Sequence, residues 1–294
     1  MIDGHTKLVG LIGWPVEHSL SPAMHNAAFD ALKLNWRYVP LPVPPGQVEA
    51  AVRGLVALGF RGANVTVPHK QAVIPALDVV APDAGKFGAV NTIIVERSED
   101  GSTIVNGDNT DYKGFVGSLR HAELDPGGKK AVVSGAGGGG RAVVFGLLQA
   151  GAADILVLDG DAERAGALIL GLAGERPSRL RTLPLTAETL IESARAADLL
   201  VNATPVGMSP RVNASIWPKD VPIPAHLTVF DMVYNPLETQ LLRQARQSGA
   251  RAIAGLGMLV RQGALAFDMW TNQAFAVDEI ARLMRAACER AIQR

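Results

Sequence analysis

In "NVTVPHK", residues 64–70, two polar side chains alternate with valines until a proline interrupts, and a lysine follows. On an extended strand this puts Asn64 and Thr66 on one face and the valines on the other. Two polar side chains together at a strand's end make a binding surface. Lys70 is expected in the first turn of a helix begun after Pro68, where its charge opposes the helix dipole. One reading of it is a solvated surface lysine. The other is acid–base work, because a lysine made less basic by its surroundings can take a hydroxyl proton. An alcohol carbon that gives up hydride needs that proton removed. "GDNTDYKGF" offers a companion in Asp111, either as the cap of the helix that follows or as the group that orients the lysine.

A second constellation is Gly135, Gly137 and Gly140, spaced G-x-G-x-x-G after the apolar run "AVVS" and before "RAVVFGLLQAG". Such glycines permit a tight turn and let a pyrophosphate approach the backbone. The helix N-terminus then offers its unpaired N–H groups and partial positive charge. A flexible loop between domains is the alternative. The next apolar run ends at Asp159, where an acid can accept hydrogen bonds from an adenosine ribose diol and repel the extra phosphate of NADP. At about 4 Å and an effective dielectric of about 20, two unit charges cost about 4 kcal/mol, less with solvent screening. Asp161 adds to that field, and Arg164, one turn on, offsets part of it. The alternative is that Asp159 caps the next helix.

These residues need elements to hold them. "TKLVGLIG", "WRYVPLPV" and "GANVTVPHK" read as strands. "SLSPAMHNAAFDAL", capped by Ser21 with Pro22 in its first turn, and "GQVEAAVRGLVALG" read as helices. "GAVNTIIVERSEDGSTIVNGDNT" reads as a hairpin turning at "EDG". The pattern restarts with strand, glycine loop and helix at "KKAVVSGAGGGGRAVVFGLLQAG". "DILVLDGDAERAGAL", "ADLLVNATPVGM", "LTVFDMVYNP", "ETQLLRQARQSG" and "RAIAG" continue the alternation. Two helices, "MLVRQGALAFDMWTNQ" and "VDEIARLMRAAC", end the chain. The class is α/β, with a mostly parallel, doubly wound sheet and two domains. "DYKGFVGSLRHAEL" is the helix expected to join them.

Composition sets outer bounds. The chain has 294 residues, 48% of them hydrophobic, with 28 basic and 28 acidic side chains and no net charge. No basic block points to nucleic acid or a membrane surface. The single cysteine, Cys288, cannot form an intrachain disulfide and fits a reducing, cytoplasmic setting. No apolar run is long enough to span a bilayer, and "MIDGHTKLVGLIG" does not read as a signal peptide. The six histidines show no metal-ligand spacing, so no metal is expected.

With these pieces in place the chain resembles the shikimate dehydrogenase family over nearly its whole length. The segments that carry the resemblance are "HSLSPAMHNAAF", "NVTVPHK", "GAVNT", "GDNTD", "GAGGGGRA", "NATPVGM", "DMVYNP" and "GLGMLVRQGALAF". It implies a substrate domain, residues 1–111, completed by C-terminal helices 257–294. It also implies a Rossmann-like dinucleotide domain, residues 112–256, that includes the linker helix. Shikimate or 3-dehydroshikimate, of aromatic amino acid biosynthesis, would be the substrate. Carried over by position, Lys70 resembles the catalytic lysine and Asp111 its partner. Ser19 and Ser21 resemble the pair that holds the substrate carboxylate. Asn64, Thr66, Asn91 and Gln262 resemble ligands of the ring hydroxyls, and Tyr234 a further substrate contact. Gly135, Gly137, Gly138, Gly140, Arg141 and Asp159 match the dinucleotide loop and its acid. Thr204 and Val206 match the loop beside the cofactor, and Met232 and Gly255 positions near the nicotinamide. Local loop bonding is the other reading of Asn91, Asn202 and Gln262.

Two departures stand out. NADP-using members carry Asn-Arg-Thr where this chain has Asp159, Gly160 and Asp161, so NAD is the cofactor expected, with possible quinate activity. The usual glycine after "NTD" is Tyr112. Both carboxylate-binding serines are present, which favours shikimate over quinate. The other functions weighed are a dehydrogenase of an aminoshikimate-type substrate and a non-catalytic NAD-binding sensor. Monomer and homodimer are both open.

Overall fold

The computed structural model describes residues 2–172, 174, 180–272 and 275–293. It comprises two compact units, Met1–Thr110 with Val260–Arg294, and Asp111–Leu259.

The first unit holds β1 (Lys7–Gly13), α1 (Ser21–Ala31), β2 (Trp36–Pro42), α2 (Val48–Ala57), β3 (Gly62–Val65), β4 (Val79–Val80), α3 (Pro82–Phe87), β5 (Thr92–Arg97) and β6 (Thr103–Asp108). Its sheet runs β2-β1-β3-β5-β6-β4. β1 pairs in parallel with β2 and β3, and its Val9, Leu11 and Ile12 are buried on both faces, as an apolar run flanked by parallel neighbours requires. β5 and β6 form the expected antiparallel hairpin.

The chain returns to this unit through α9 (Leu256–Thr271), from Val260 on, and α10 (Val277–Ile292). α10 packs on α1 and buries Ile280, Ala281, Met284, Ala287 and Cys288, an apolar stripe at helical spacing. Burial pushes the Cys288 thiol up to about 12, which makes it an inert core residue.

Two local expectations are corrected here. β3 stops at Val65, and Lys70 lies in a turn that precedes a short 3-10 segment, Ile74–Ala76, not in an α-helix. Pro68 brings no N–H and keeps the residue before it out of the helical region. Val67 is consequently off the strand and exposed. Ser21 is the first residue of α1, not its cap: Leu20 holds the cap position, and the Ser21 N–H donates to Ser19 Oγ at 3.2 Å.

The second unit holds α4 (Asp111–His121), β7 (Lys130–Ser134), α5 (Gly138–Gln149), β8 (Asp154–Asp159), α6 (Ala162–Gly171), β9 (Leu180–Pro184), α7 (Ala187–Arg195), β10 (Leu199–Asn202), β11 (Thr228–Asp231), α8 (Gln240–Gln247) and β12 (Arg251–Ala254). Its sheet runs β12-β11-β10-β7-β8-β9 and is parallel throughout. The order reverses between β7 and β10, and in such sheets a crevice opens there beyond the strands' carboxyl ends. β9 and α7 did not stand out in the sequence. β9 buries only Leu180, so it has no apolar alternation. α7 is begun by a Thr186–Thr189 capping box rather than by an obvious apolar face. α4 packs on α5, where Tyr112 meets Phe145 edge-on at 5.1 Å and 85°. A buried aromatic contact thus occupies the position where the family's glycine is absent.

Candidate active site

In the first unit a set of polar side chains is wired together where β3 and β5 meet. The Val65 N–H donates to the Asn91 carbonyl at 2.8 Å, extending the β3–β5 pairing by one residue. Asn64 and Asn91 are both buried. Asn64 Nδ2 donates to the same Asn91 carbonyl at 3.1 Å and to Thr92 Oγ1 at 3.3 Å.

Asn91 Oδ1 accepts from the Thr110 N–H at 2.8 Å and from Thr92 Oγ1 at 2.9 Å. Its Nδ2 donates to Thr110 Oγ1 at 3.0 Å and to Gln262 Oε1 at 3.3 Å. A backbone N–H only donates, so it fixes which way the Asn91 amide faces, and Asn91 in turn fixes Gln262.

Lys70 is half-buried, and its carbonyl accepts from the N–H of Val90, the residue before Asn91, at 2.8 Å. Thr66 follows β3; its N–H donates to the Ile12 carbonyl at 2.8 Å. Gly13 leaves it room, since a Cβ there would stand 2.3 Å from Thr66 Cγ2. Ser19 and Ser21 lie in the loop after β1 and the start of α1, beyond the same end of the sheet. Six of the expected substrate residues and Lys70 are therefore carried by one unit. Asp111, buried, opens α4 directly after Thr110, and half-buried Tyr234 lies in the loop after β11; both belong to the second unit.

The second unit gathers the dinucleotide residues at the carboxyl ends of β7, β8, β10 and β11. The glycines do three separate jobs. Gly135 takes φ +104° for the turn after β7. Gly137, the N-cap of α5, has open space where a Cβ would be, so a ligand's phosphates could approach its backbone. A Cβ on Gly140 would stand 1.9 Å from the Gly135 carbonyl oxygen, so helix and loop pack in contact only with glycine there. These residues fit a dinucleotide. Gly138 opens α5, and Arg141 is buried in its first turn, where burial lowers its pKa.

Thr204 donates to Asn202 Oδ1 at 2.6 Å and accepts from the Val206 N–H at 3.2 Å. Asn202 Nδ2 donates to Asp231 Oδ1 at 2.9 Å. Asp231 also accepts from Thr239 Oγ1 at 2.6 Å and from the Val233 N–H at 3.1 Å. Burial outweighs these bonds and raises the Asp231 carboxyl above its ordinary value. Met232 sits between two glycines: a Cβ on Gly139 would be 2.9 Å from Met232 Cε, and one on Gly255 2.3 Å from the Met232 carbonyl oxygen.

Asp159 ends β8 almost fully buried. Its Oδ2 accepts from the Ala136 N–H at 2.6 Å and Arg164 Nε at 3.2 Å; its Oδ1 accepts from the Asp161 N–H at 2.8 Å and Arg164 Nη2 at 2.5 Å. All four lone-pair sites of the carboxylate are used. Burial opposes its charge, but the bonds from Arg164, Ala136 and Asp161 prevail and hold the carboxyl below its usual range. The same bond to Asp159 raises the Arg164 guanidinium. Capping of α6 falls to Asp161, which accepts from the Arg164 N–H at 3.0 Å.

Sequence reasoning missed Thr92, Thr110 and Asp231. The signal was present, since Thr92 and Thr110 lie inside the quoted "GAVNT" and "GDNTD" and Asp231 opens "DMVYNP". It also reckoned Arg164 a partial offset, where the structure shows a two-point fork.

Two family models match the chain. The Shikimate dehydrogenase substrate binding domain matches residues 11–93, and the Shikimate 5'-dehydrogenase C-terminal domain matches residues 255–285. The chain is 47% identical over 286 residues, 97% of its length and 95% of the relative's, to shikimate dehydrogenase (NADP(+)) of Moorella thermoacetica. It is similar to a shikimate dehydrogenase solved in complex with NADP+, with a TM-score of 0.87, 37% identity and coverage of 100% of this chain and 98% of that one. The Listeria monocytogenes shikimate 5-dehydrogenase, solved with shikimate and NAD, gives a TM-score of 0.83 at 33% identity, covering 96% and 97%. With its parallel nucleotide-type sheet, glycine loop and wired polar set, this chain belongs to the shikimate dehydrogenase family, oxidoreductases that act on a CH–OH group with NAD or NADP.

Proposed function

We propose that Lys70 is the acid–base residue for the interconversion of shikimate and 3-dehydroshikimate in this chain. In the forward direction the substrate's O–H proton passes to the Lys70 amine as the carbon becomes a carbonyl. The nicotinamide ring, when bound, supplies the acceptor for the hydride. Asp111 orients the lysine. Ser19 and Ser21 take the carboxylate, and Asn64, Thr66, Asn91 and Gln262 take the ring hydroxyls, with Tyr234 as a further contact. The observation that carries this assignment is the wired polar set itself. Asn64 and Asn91 are fixed in orientation by backbone groups and Gln262 by Asn91, and Asn91 directly follows Val90, whose N–H donates to the Lys70 carbonyl. Preorganised polar groups of this kind recognise hydroxyls without reorganising.

The test is Lys70→Ala. Its kcat with shikimate is expected to fall about 10²–10⁴-fold, the usual worth of a general acid–base group, with the melting temperature near that of the parent. Unchanged turnover would remove Lys70 from the chemistry.

For the cofactor, the proposal is NAD over NADP, supported by the charges after β8. The relatives' names weigh the other way, since the Moorella protein is named for NADP(+). Locally, however, Asp159, Asp161 and Arg164 sum to one negative charge, and the arginine is already engaged by Asp159. A ribose diol can replace the Arg164 donors on Asp159, while the half-exposed guanidinium keeps Asp161 as a partner, 3.6 Å away. A 2′-phosphate would instead draw Arg164 off a buried carboxylate and leave that charge beside its own. Quinate is the second substrate proposed, turned over less well because both carboxylate-binding serines are present.

A further inference from the structure

We infer that Tyr38 is a positioning residue for substrate recognition, acting through Asn64; the inference rests on reading Asn64 as a ligand of a substrate hydroxyl. Tyr38 lies on β2, at the edge of its sheet, yet it is 2% exposed. Two adjacent residues of α1 hold it there. Asn26 donates through Nδ2 to the Tyr38 carbonyl at 2.9 Å and accepts the Tyr38 N–H on Oδ1 at 2.9 Å. One side-chain amide thus supplies what a further strand would give an open edge. His25 stacks on the phenol ring at 4.4 Å with an interplanar angle of 2°. Trp270 stands 6.0 Å away on a tilt, itself anchored by an indole N–H donating to the Ile93 carbonyl at 2.9 Å. Backbone and ring are both fixed, and the hydroxyl donates to Asn64 Oδ1 at 2.9 Å.

The polarity of that bond decides its use. Asn64 Nδ2 faces a backbone carbonyl, which only accepts, so the amide cannot be turned over. Its two amide protons go to the Asn91 carbonyl and Thr92 Oγ1. Tyr38 takes one lone pair of Oδ1. The other lone pair makes Asn64 an acceptor for a hydroxyl proton, and the Tyr38 bond keeps that oxygen in place. This distinguishes an alcohol, which can donate, from an ether or ester oxygen at the same ring position, which cannot.

The experiment is a cycle of Tyr38→Phe, Asn64→Ala and the double variant, with KM for shikimate, kcat and KM for NAD measured for each. Tyr38→Phe keeps the ring and its stack, so the fold is retained, with thermal melts lowered by only about 2–4 °C, the effect of one buried hydrogen bond of about 1 kcal/mol. KM for shikimate is expected to rise roughly 3- to 10-fold, the net effect of one hydrogen bond, with KM for NAD unchanged. In the Asn64→Ala background the same substitution should add nothing. Additive effects, or an unchanged KM in Tyr38→Phe while Asn64→Ala raises it, would overturn the positioning role. An unchanged KM in Asn64→Ala would instead overturn the ligand reading on which it rests.

Discussion

At the residue scale the buried titratable groups differ by what faces them. His25 is fully buried among Tyr38, Phe29, Phe267 and Trp270, and neither ring nitrogen has a hydrogen-bond partner. Burial alone pushes its pKa from 6.5 down to about 3. The folded chain therefore holds a neutral imidazole where the unfolded chain binds a proton. The stability tied to His25 is full above about pH 6.5 and is lost as pH falls from there toward 3. Between pH 7 and pH 5 the loss is about 2 kcal/mol, from about 1.4 kcal/mol per pH unit below the unfolded pKa. Urea unfolding at those two pH values should show that loss in the parent and not in His25→Leu. Equal losses in both proteins would mean that His25 binds protons alike in the folded and unfolded chains. Asp159 is also buried, though less completely, and has four donor N–H groups, so its carboxyl is held low instead of raised. Burial sets the sign for the histidine, and hydrogen bonding sets it for the aspartate.

At the scale of elements, the contact between α5 and the β7 loop depends on a missing side chain. A Cβ on Gly140 would meet backbone, 1.9 Å from the Gly135 carbonyl oxygen, so neither partner can swing away. Gly140→Ala should move the start of α5 off the loop, where the orphan N–H groups face a phosphate. The expected result is a loss of cofactor affinity of at least about 10-fold and a melting temperature lower by about 2–8 °C, the effect of roughly 1–2 kcal/mol. Fluorescence titration with NAD and a thermal melt read the two effects, and unchanged values in both would mean the loop tolerates the methyl. The glycine spacing around this contact was legible in the sequence because glycine has few other reasons to recur there. The end of β3 was not, because Asn64, Thr66 and the valines alternate as if the strand went on, and only the pairing with β1 shows that it stops at Val65. Tyr38 was also hidden, since its role comes from contacts 12 and 26 residues away along the chain.

At the scale of the whole molecule, the chain order of the motifs made the α/β class and the family legible. The candidate site was legible by residue type, because Asn64 and Thr66 at a strand's end with a lysine in the turn that follows suit binding and proton transfer. Its wiring was not, because the bond from Asn91 to Gln262 joins residues 171 positions apart. Cofactor choice joins the two scales: it is carried by three charged side chains after β8, yet it is read only from turnover by the complete chain. The direct measurement is the initial rate of nicotinamide reduction with shikimate and with quinate, each with NAD and with NADP, for the parent and Asp159→Asn. The predicted result is shikimate turnover above quinate, and kcat/KM for NAD at least about 10-fold above NADP, with Asp159→Asn narrowing that gap by freeing Arg164 for a phosphate. A parent enzyme that prefers NADP, or one that leaves shikimate unoxidised with either cofactor, would contradict it.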